Sequence, residues 1–503
     1  MRKGPFGLTA LPLVLLATLP LAACGPRAAP RILPERPPAE APAVPVIFVP
    51  GVTGVILRDA KTGDVAWGLG RNLLRPHDGA YGLALPVIHE DPDLPVLEPV
   101  VPLEEIALFG IHKPIYGPIR KLLVGAGYVQ GHLESPRPGE TLFFFDYDWR
   151  RDLTESAGLL RRQLEELRRV QGRERLEVDL VCQSSGAHLC RYLAKYGAAS
   201  LPEAEAGRGS LPPTLAVRRL VLVGSSNGGS LRILKEIDRG RRYVPLIGRR
   251  MRPEVVFTYP ALFQDLPIYR RDLFLDAEGK PLDVDLFDPE SWHRYGWSIY
   301  GTATARRLRE DGAPRFLGDE AERDAWLRRT LAAARRFQEL LHTDAPRFGE
   351  TRVYVVGSAD QPTPDRAVLV RKGEEWRTLF TGDPALRRDP VLQALATASG
   401  DEHATLASQD WLSPQEQAAL ALPPRRVRGG HFEALLTAEV QRFLLEALGR
   451  TSPPRSPSPI AHPSPGRGGS HHPRSRPPDF SWHLGGGVPS PGWGCATGEG
   501  VRG

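Results

Sequence analysis

Residues 176–196, LEVDLVCQSSGAHLCRYLAKY, constrain the possible architecture of this chain more than any other stretch. Residues 178–181 read as a buried strand, 182–186 as a tight turn and 187–196 as a helix. Ser184 sits at the apex. A sharp strand-to-helix turn pushes one side chain out at the top of a sheet, the layout of a nucleophile elbow. It also aims a helix N-terminus and the next backbone N–H at the place where an oxyanion would form. Gly186 leaves room for the helix to cross close over the strand.

The elbow pattern is G-x-S-x-G, and here Cys182 stands in the first glycine position. Ser185 is the rival nucleophile, but Gly186 then follows too soon and Ala187 takes the second small-residue position. Cys182 and Cys190 flank the elbow. One ends a strand and the other lies about a turn into the helix, so a separation too long for a disulfide is expected. The only other cysteines are Cys24 and Cys495, and no C-x-x-C metal spacing occurs, so neither a metal nor a cofactor is expected.

With 503 residues and 41% hydrophobic content, the chain can build a large core. Its formal charge is +6, of which about +4 lies in the tail from Arg450, where six arginines meet only Asp479 and Glu499. The remainder is nearly balanced, which argues against a nucleic-acid partner. Arg2 and Lys3 precede an apolar run over residues 8–23 that ends in Leu21-Ala22-Ala23-Cys24. That is a signal peptide over residues 1–24, too short and too proline-broken for a comfortable membrane span. Cysteine directly after L-A-A resembles a bacterial lipobox, which implies lipidation of Cys24 and a membrane-anchored, extracytoplasmic protein. Gly25 after it leans towards an outer membrane where the cell has one. Residues 25–44 read as a Pro/Ala-rich tether and residues 449–503 as a disordered Pro/Ser/Gly-rich tail. His462, His471 and His472 in that tail read as compositional.

Between these ends, strands are expected at 46–49, 142–145, 178–181, 217–223, 351–356, 367–370 and 425–428. Helices are expected at 115–127, 153–170, 187–196, 320–341, 390–398 and 432–448. The alternation predicts an α/β domain over residues 45–448 with a mostly parallel sheet and flanking helices. Residues 58–112 read as irregular and 197–214 as a polar loop. Residues 231–345 interrupt the alternation with many aromatics and arginines. They read either as a cap presenting apolar groups over the site or as a subdomain with its own small core.

Chain order then narrows the chemistry. A serine after a central strand, an acid in a late loop and His431 before the last helix give Ser…Asp…His, the order of the α/β-hydrolase fold. At this point the sequence resembles the lecithin:cholesterol acyltransferase family, which includes lysosomal phospholipase A2 and phospholipid:diacylglycerol acyltransferases. Tyr147-Asp148-Trp149-Arg150 is similar to that family's Y-D-W-R stretch, and residues 45–54 to its P-V-x-x-V-P-G-x-x-G opening. Gly127-Tyr128, Ser184-x-Gly186 with Tyr192-Leu193, Gly228-Gly229 and residues 357–364 add further likeness over roughly residues 45–445. The resemblance implies Ser184 as nucleophile, His431 as general base and Asp401 as acid, with Val52 and Ser185 supplying the oxyanion N–H groups. The chain departs from the family at Cys182 and around Asp401, where G-D-E-H-A-T replaces G-D-x-T-V. Asp360 is the rival acid, although its separation from His431 is long.

The expected chemistry is acyl transfer from a lipid ester at a membrane surface, through an acyl-enzyme, to water or to a lipid alcohol. Two alternatives stay open. One is a carboxylesterase for small soluble esters. The other is an inactive lipoprotein that binds lipid or a partner.

Overall fold

The structure, a computed structural model, describes residues 44–450 except 71, 73–76, 89, 90, 93, 109, 110, 243–249 and 347. The expected signal peptide and lipobox with Cys24, most of the expected tether, and the tail from residue 451 lie outside the described residues.

Six strands make the central sheet: β1 (Val46–Val49), β2 (Leu142–Phe144), β3 (Leu176–Gln183), β4 (Leu215–Val223), β5 (Arg352–Ser358) and β6 (Arg425–Val427). Their spatial order is β6-β5-β4-β3-β1-β2 and every pairing is parallel. Parallel sheets need both faces covered, so their strands read as continuous apolar runs. Alternation along β1 shows the consequence. Val46 and Phe48 enter the core on one face, with Ile119, Leu122 and Phe443; Ile47 and Val49 enter the other, with Leu160, Leu164 and Leu189. In β3, Asp179 is fully buried and paired with Arg218 and Arg219.

The first face is covered by α1 (Gly117–Gly125) and by the last helix, the second by α2 (Leu153–Val170) and α3 (Gly186–Tyr196). α2 buries Leu153, Ala157, Leu160, Leu164 and Leu167, the stripe its periodicity predicts. Each such leucine contributes about 1.5–3 kcal/mol of apolar burial. Asp152 caps this helix by accepting from Thr154 N at 2.7 Å, rather than through a reciprocal box with Glu155.

The remaining helices of the frame are α4 (Leu231–Arg239), α5 (Glu320–His342) and α6 (Ala438–Ala447). α6 starts later than residue 432, because a 3-10 turn at Ala434–Leu436 and an N-cap at Thr437 come first. Residues 58–112 are not irregular. They hold a three-stranded antiparallel sheet of Val65–Trp67, Val55–Asp59 and Leu97–Pro102, then a hairpin of Glu105–Leu108 and Ile111–Pro114. Prolines at 99, 102 and 114 hid these strands, and such edge strands tolerate proline. The loop at 197–214 contains a short helix, Leu201–Glu205.

The aromatics of the insertion join the core on the second face of the sheet, in one cluster with Ile47, Leu160 and Leu189. Phe263 stacks on Trp292, Trp292 meets Trp297 edge-on, and Phe274 stacks on Trp297, all fully buried. The strand expected at 367–370 forms as Ala367–Lys372, but it pairs with Phe274–Leu275 and Glu375–Leu379 in a second sheet rather than with the central one. The helix expected over 390–398 stops at Leu395, and Thr397–Gly400 returns as a strand against Gln361–Pro364.

Candidate active site

β3 ends at Gln183, and Ser184 carries φ of 55°, a left-handed conformation rare for a residue with a Cβ. α3 starts two residues later. A Cβ on Gly186 would lie 2.5 Å from the Pro50 carbonyl oxygen and 2.7 Å from that of Val49, so only glycine lets the helix cross here. Ser185 is the N-cap of α3, at the positive end of the helix dipole.

This close crossing overturns the expectation for the cysteines. Cys182 and Cys190 form a disulfide with Cα atoms 6.6 Å apart, inside the range a disulfide spans. The turn reverses the chain so tightly that one helical turn returns Cys190 to the end of the strand. Cys182 thus replaces the usual glycine with one half of a covalent clamp on the elbow.

The structure brings Ser184, His431 and Asp401 together. Ser184 Oγ–H donates to His431 Nε2 at 2.9 Å, and His431 Nδ1–H donates to Asp401 Oδ2 at 2.8 Å. His431 and Asp401 are both buried. The second carboxylate oxygen of Asp401 accepts from His403 N and Ala404 N at 2.9 and 2.7 Å, which fixes its orientation. Topology explains why two aspartates competed in the sequence. Gln361 pairs with Gly400, so the strand pair that leaves β5 sets Asp360 and Asp401 at the same end. Asp360 turns away from the histidine: its Oδ1 accepts from Ser358 Oγ and from Gly429 N, steadying the loop that carries His431.

Val52 N donates to Ser185 Oγ at 2.8 Å, so an oxyanion there must share or displace that hydroxyl. The Y-D-W-R stretch holds this loop in place. Tyr147 Oη–H donates to the Pro50 carbonyl at 2.7 Å and Trp149 Nε1–H to that of Val55 at 3.0 Å. Buried Arg150 grips Asp148 through two hydrogen bonds and reaches the Leu83 carbonyl.

Several neighbours were not legible as site residues. Gln183 Nε2 lies 3.2 Å from His431 Nε2. Tyr116 Oη–H and Gly51 N–H both donate to Gln183 Oε1, at 2.8 and 3.3 Å, so its NH2 group faces the imidazole. Nε2 of the histidine is therefore the acceptor and Nδ1 carries the proton. His403 stacks on His431 at 4.3 Å; burial and nearby Arg232 hold it well below the ordinary histidine range. Ser226 donates to Asp265 at 2.7 Å, and burial pushes Asp265 up to about 8. Only their position next to the elbow in space marks these residues.

A cavity of about 20 Å³ opens on Ser184, with Ser226, Ser230, Ile233, Arg241, Asp265 and Phe432 in its wall. That is room for about one water. Among the described residues no cluster of His, Cys, Asp and Glu is placed to hold a metal, and no helix is long and apolar enough to cross a membrane.

No family model matches the chain, and no curated protein matches it in sequence. Among solved structures, a chain of the Tle4–Tli4 complex is 14% identical with a TM-score of 0.49; the match covers 81% of this chain and 98% of that one. The Bacillus licheniformis lipase BlEst2 in its mature form is 12% identical with a TM-score of 0.26, covering 82% and 94%. Likeness this distant carries nothing about substrate. The parallel sheet, the elbow after β3 and the late histidine loop after β6 make the architecture that of the α/β-hydrolase fold, with a long insertion between β4 and β5.

Proposed function

We propose that this chain is a serine-dependent lipid acyl hydrolase or O-acyltransferase. The hydrogen-bonded chain Ser184–His431–Asp401 at the elbow carries the reading. His431 takes the Ser184 proton as Oγ attacks an ester carbonyl, and Asp401 holds the tautomer and stabilises the imidazolium. Backbone N–H groups of Val52 and Ser185 hold the tetrahedral oxyanion. The alcohol leaves, protonated by His431, and an acyl-enzyme remains. Water or a lipid alcohol then takes the acyl group by the reverse sequence. The cavity on Ser184 is smaller than an acyl chain, so substrate must widen it past Ile233, Arg241 and Phe432.

The resemblance to the lecithin:cholesterol acyltransferase family supports the lipid ester as substrate. The lipobox supports a membrane-anchored, extracytoplasmic protein. The disulfide agrees with that location, because disulfides persist in oxidising compartments.

The test uses the full-length protein and its Ser184→Ala variant with phospholipid vesicles, with and without a long-chain alcohol, and follows products by mass spectrometry. Acyl transfer to the alcohol, lost in the variant, is the acyltransferase outcome. Free fatty acid alone, also lost, leaves a phospholipase. No product from vesicles but turnover of short soluble esters would move the assignment to a carboxylesterase. No product from either would leave a binding protein.

A further inference from the structure

A second cavity, of about 540 Å³, lies beside the first and shares Arg241 with it. Its wall carries six cations: Arg232, Lys235, Arg241, Arg242, Arg250 and Arg387. Among the described lining residues only Glu236 and Glu402 are acidic. Glu236 is already committed, since Arg232 and Arg241 both reach it at 3.2 Å. Lys235 donates to the Thr381 carbonyl and Arg250 to that of Arg239, and the one carboxylate that acts on both, Asp383, is already paired with Arg239. Arg242 and Arg387 are exposed and pair with no carboxylate among the described residues. Burial and the surrounding arginines hold Lys235 and Arg250 below their ordinary ranges. Cations collected at this density repel one another, and an anion placed among them is stabilised by all of them.

The position of this cavity ties it to the esterase site. Arg241 is in the wall of both. Glu402, also in the wall, directly follows Asp401, and Arg232 donates to its carbonyl. An anion in the basic cavity therefore sits one side chain away from an acyl group on Ser184. In a glycerophospholipid the phosphate lies one or two glycerol carbons from the ester, which matches that arrangement. The short helix Pro390–Leu395 follows Arg387 in the chain and leaves Val391 70% exposed, an apolar group suited to a lipid surface.

We propose that the basic cavity is a phosphoester subsite, through which the enzyme selects acyl glycerolipids with an anionic head group. The proposal rests on the serine esterase reading above and names the substrate class of that site. Guanidinium groups suit it because their forked donors match phosphate oxygens.

The experiment compares full-length wild type with the Arg242→Glu/Arg387→Glu double variant. Both positions are exposed and unpaired, and retained turnover of p-nitrophenyl butyrate checks that the variant is folded and its triad intact. Three monomeric substrates are used: dihexanoyl phosphatidylglycerol, dihexanoyl phosphatidylcholine and dihexanoylglycerol. The expected result is a wild-type preference in that order, with kcat/KM for phosphatidylglycerol falling about tenfold or more in the variant. Turnover of p-nitrophenyl butyrate and dihexanoylglycerol stays unchanged. Equal losses on all substrates, or no preference in the wild type, overturn the subsite. Inorganic phosphate or glycerol 3-phosphate that competes as strongly as dihexanoyl phosphatidylglycerol overturns the lipid assignment in favour of a soluble phosphate ligand. If the wild type turns over no ester, the esterase reading fails separately. Calorimetric titration of the Ser184→Ala protein with dihexanoyl phosphatidylglycerol, with and without the double substitution, then decides the subsite. Binding lost with the substitution supports it, and binding absent or unaltered overturns it.

Discussion

Two charged clusters share the strand-turn-helix of residues 176–196, one at each end of α3. At the far end, Arg191 sends Nε and one terminal nitrogen to the two oxygens of Glu416, each at 2.7 Å, and its other nitrogen to the Asn227 carbonyl. Lys195 donates to the carbonyls of Leu341 and Thr343 and to Ser413 Oγ. All three charged side chains are wholly buried. At the near end, Ser184 sits on left-handed backbone, His431 Nε2 is shared between Ser184 and Gln183, and the group opens on a cavity. The far cluster is saturated by fixed partners and held by them. The near one keeps strain and an incompletely committed nitrogen, which is what a reacting centre requires.

The comparison breaks first at the near end. Ser184→Ala is expected to cut ester turnover by about four orders of magnitude or more while leaving the thermal midpoint almost unmoved. Asp401→Asn should cost about 10⁴ in kcat by inverting the histidine tautomer. Asp360→Asn, which loosens only the loop at Gly429, should cost far less. Equal losses from the two asparagine variants would reverse their assignment.

At the far end the same kind of substitution should act on stability. Glu416→Ala leaves two buried cations without their anion and is expected to destabilise the fold by about 3–5 kcal/mol in urea unfolding. Acid tests the same region. Burial alone would raise Glu416, but Arg191 and Lys195 bring it down to about 2, below its ordinary 4.5. Burial and the Arg191 charge bring His188 down to about 3 from 6.5. Both are depressed in the fold, so the stability they contribute is full above their ordinary values and is lost as the pH falls towards about 3 and then 2. A folded state that gains stability between pH 6 and pH 3 would contradict this. The disulfide ties the end of β3 to the first turns of α3, between the two clusters, and should weigh less. Cys182→Ala/Cys190→Ala closes no loop and is expected to lose about 2–3 kcal/mol.

What the sequence made legible follows the strength of local patterns. Runs such as residues 46–49 and 153–170 came through at their observed bounds, because burial on two faces or one stripe leaves a periodic trace. The elbow was legible because Ser184 and Gly186 must stand at fixed spacing on a strained turn. The disulfide was not, since it depends on how closely α3 packs over β3. The choice between Asp360 and Asp401 depended on an antiparallel return 40 residues later, which no local pattern records. The far cluster was invisible for the same reason: Arg191 and Glu416 are 225 residues apart.

The smallest effect lies at Gln183, where the two kinds of environment meet. Its Oε1 is saturated by Tyr116 and Gly51, as in the far cluster, while its NH2 faces the reacting imidazole. Gln183→Glu keeps the acceptor side and puts a carboxylate against His431 Nε2. A carboxylate there stabilises the imidazolium, so the histidine holds its proton to higher pH. Only the neutral imidazole takes the Ser184 proton, so the rising limb of kcat/KM against pH should move upwards by about one pH unit. At a pH on that limb the variant then runs about tenfold slower, and it recovers at alkaline pH. Loss without recovery would mean that Gln183 supports the packing of the elbow rather than the protonation state of the histidine.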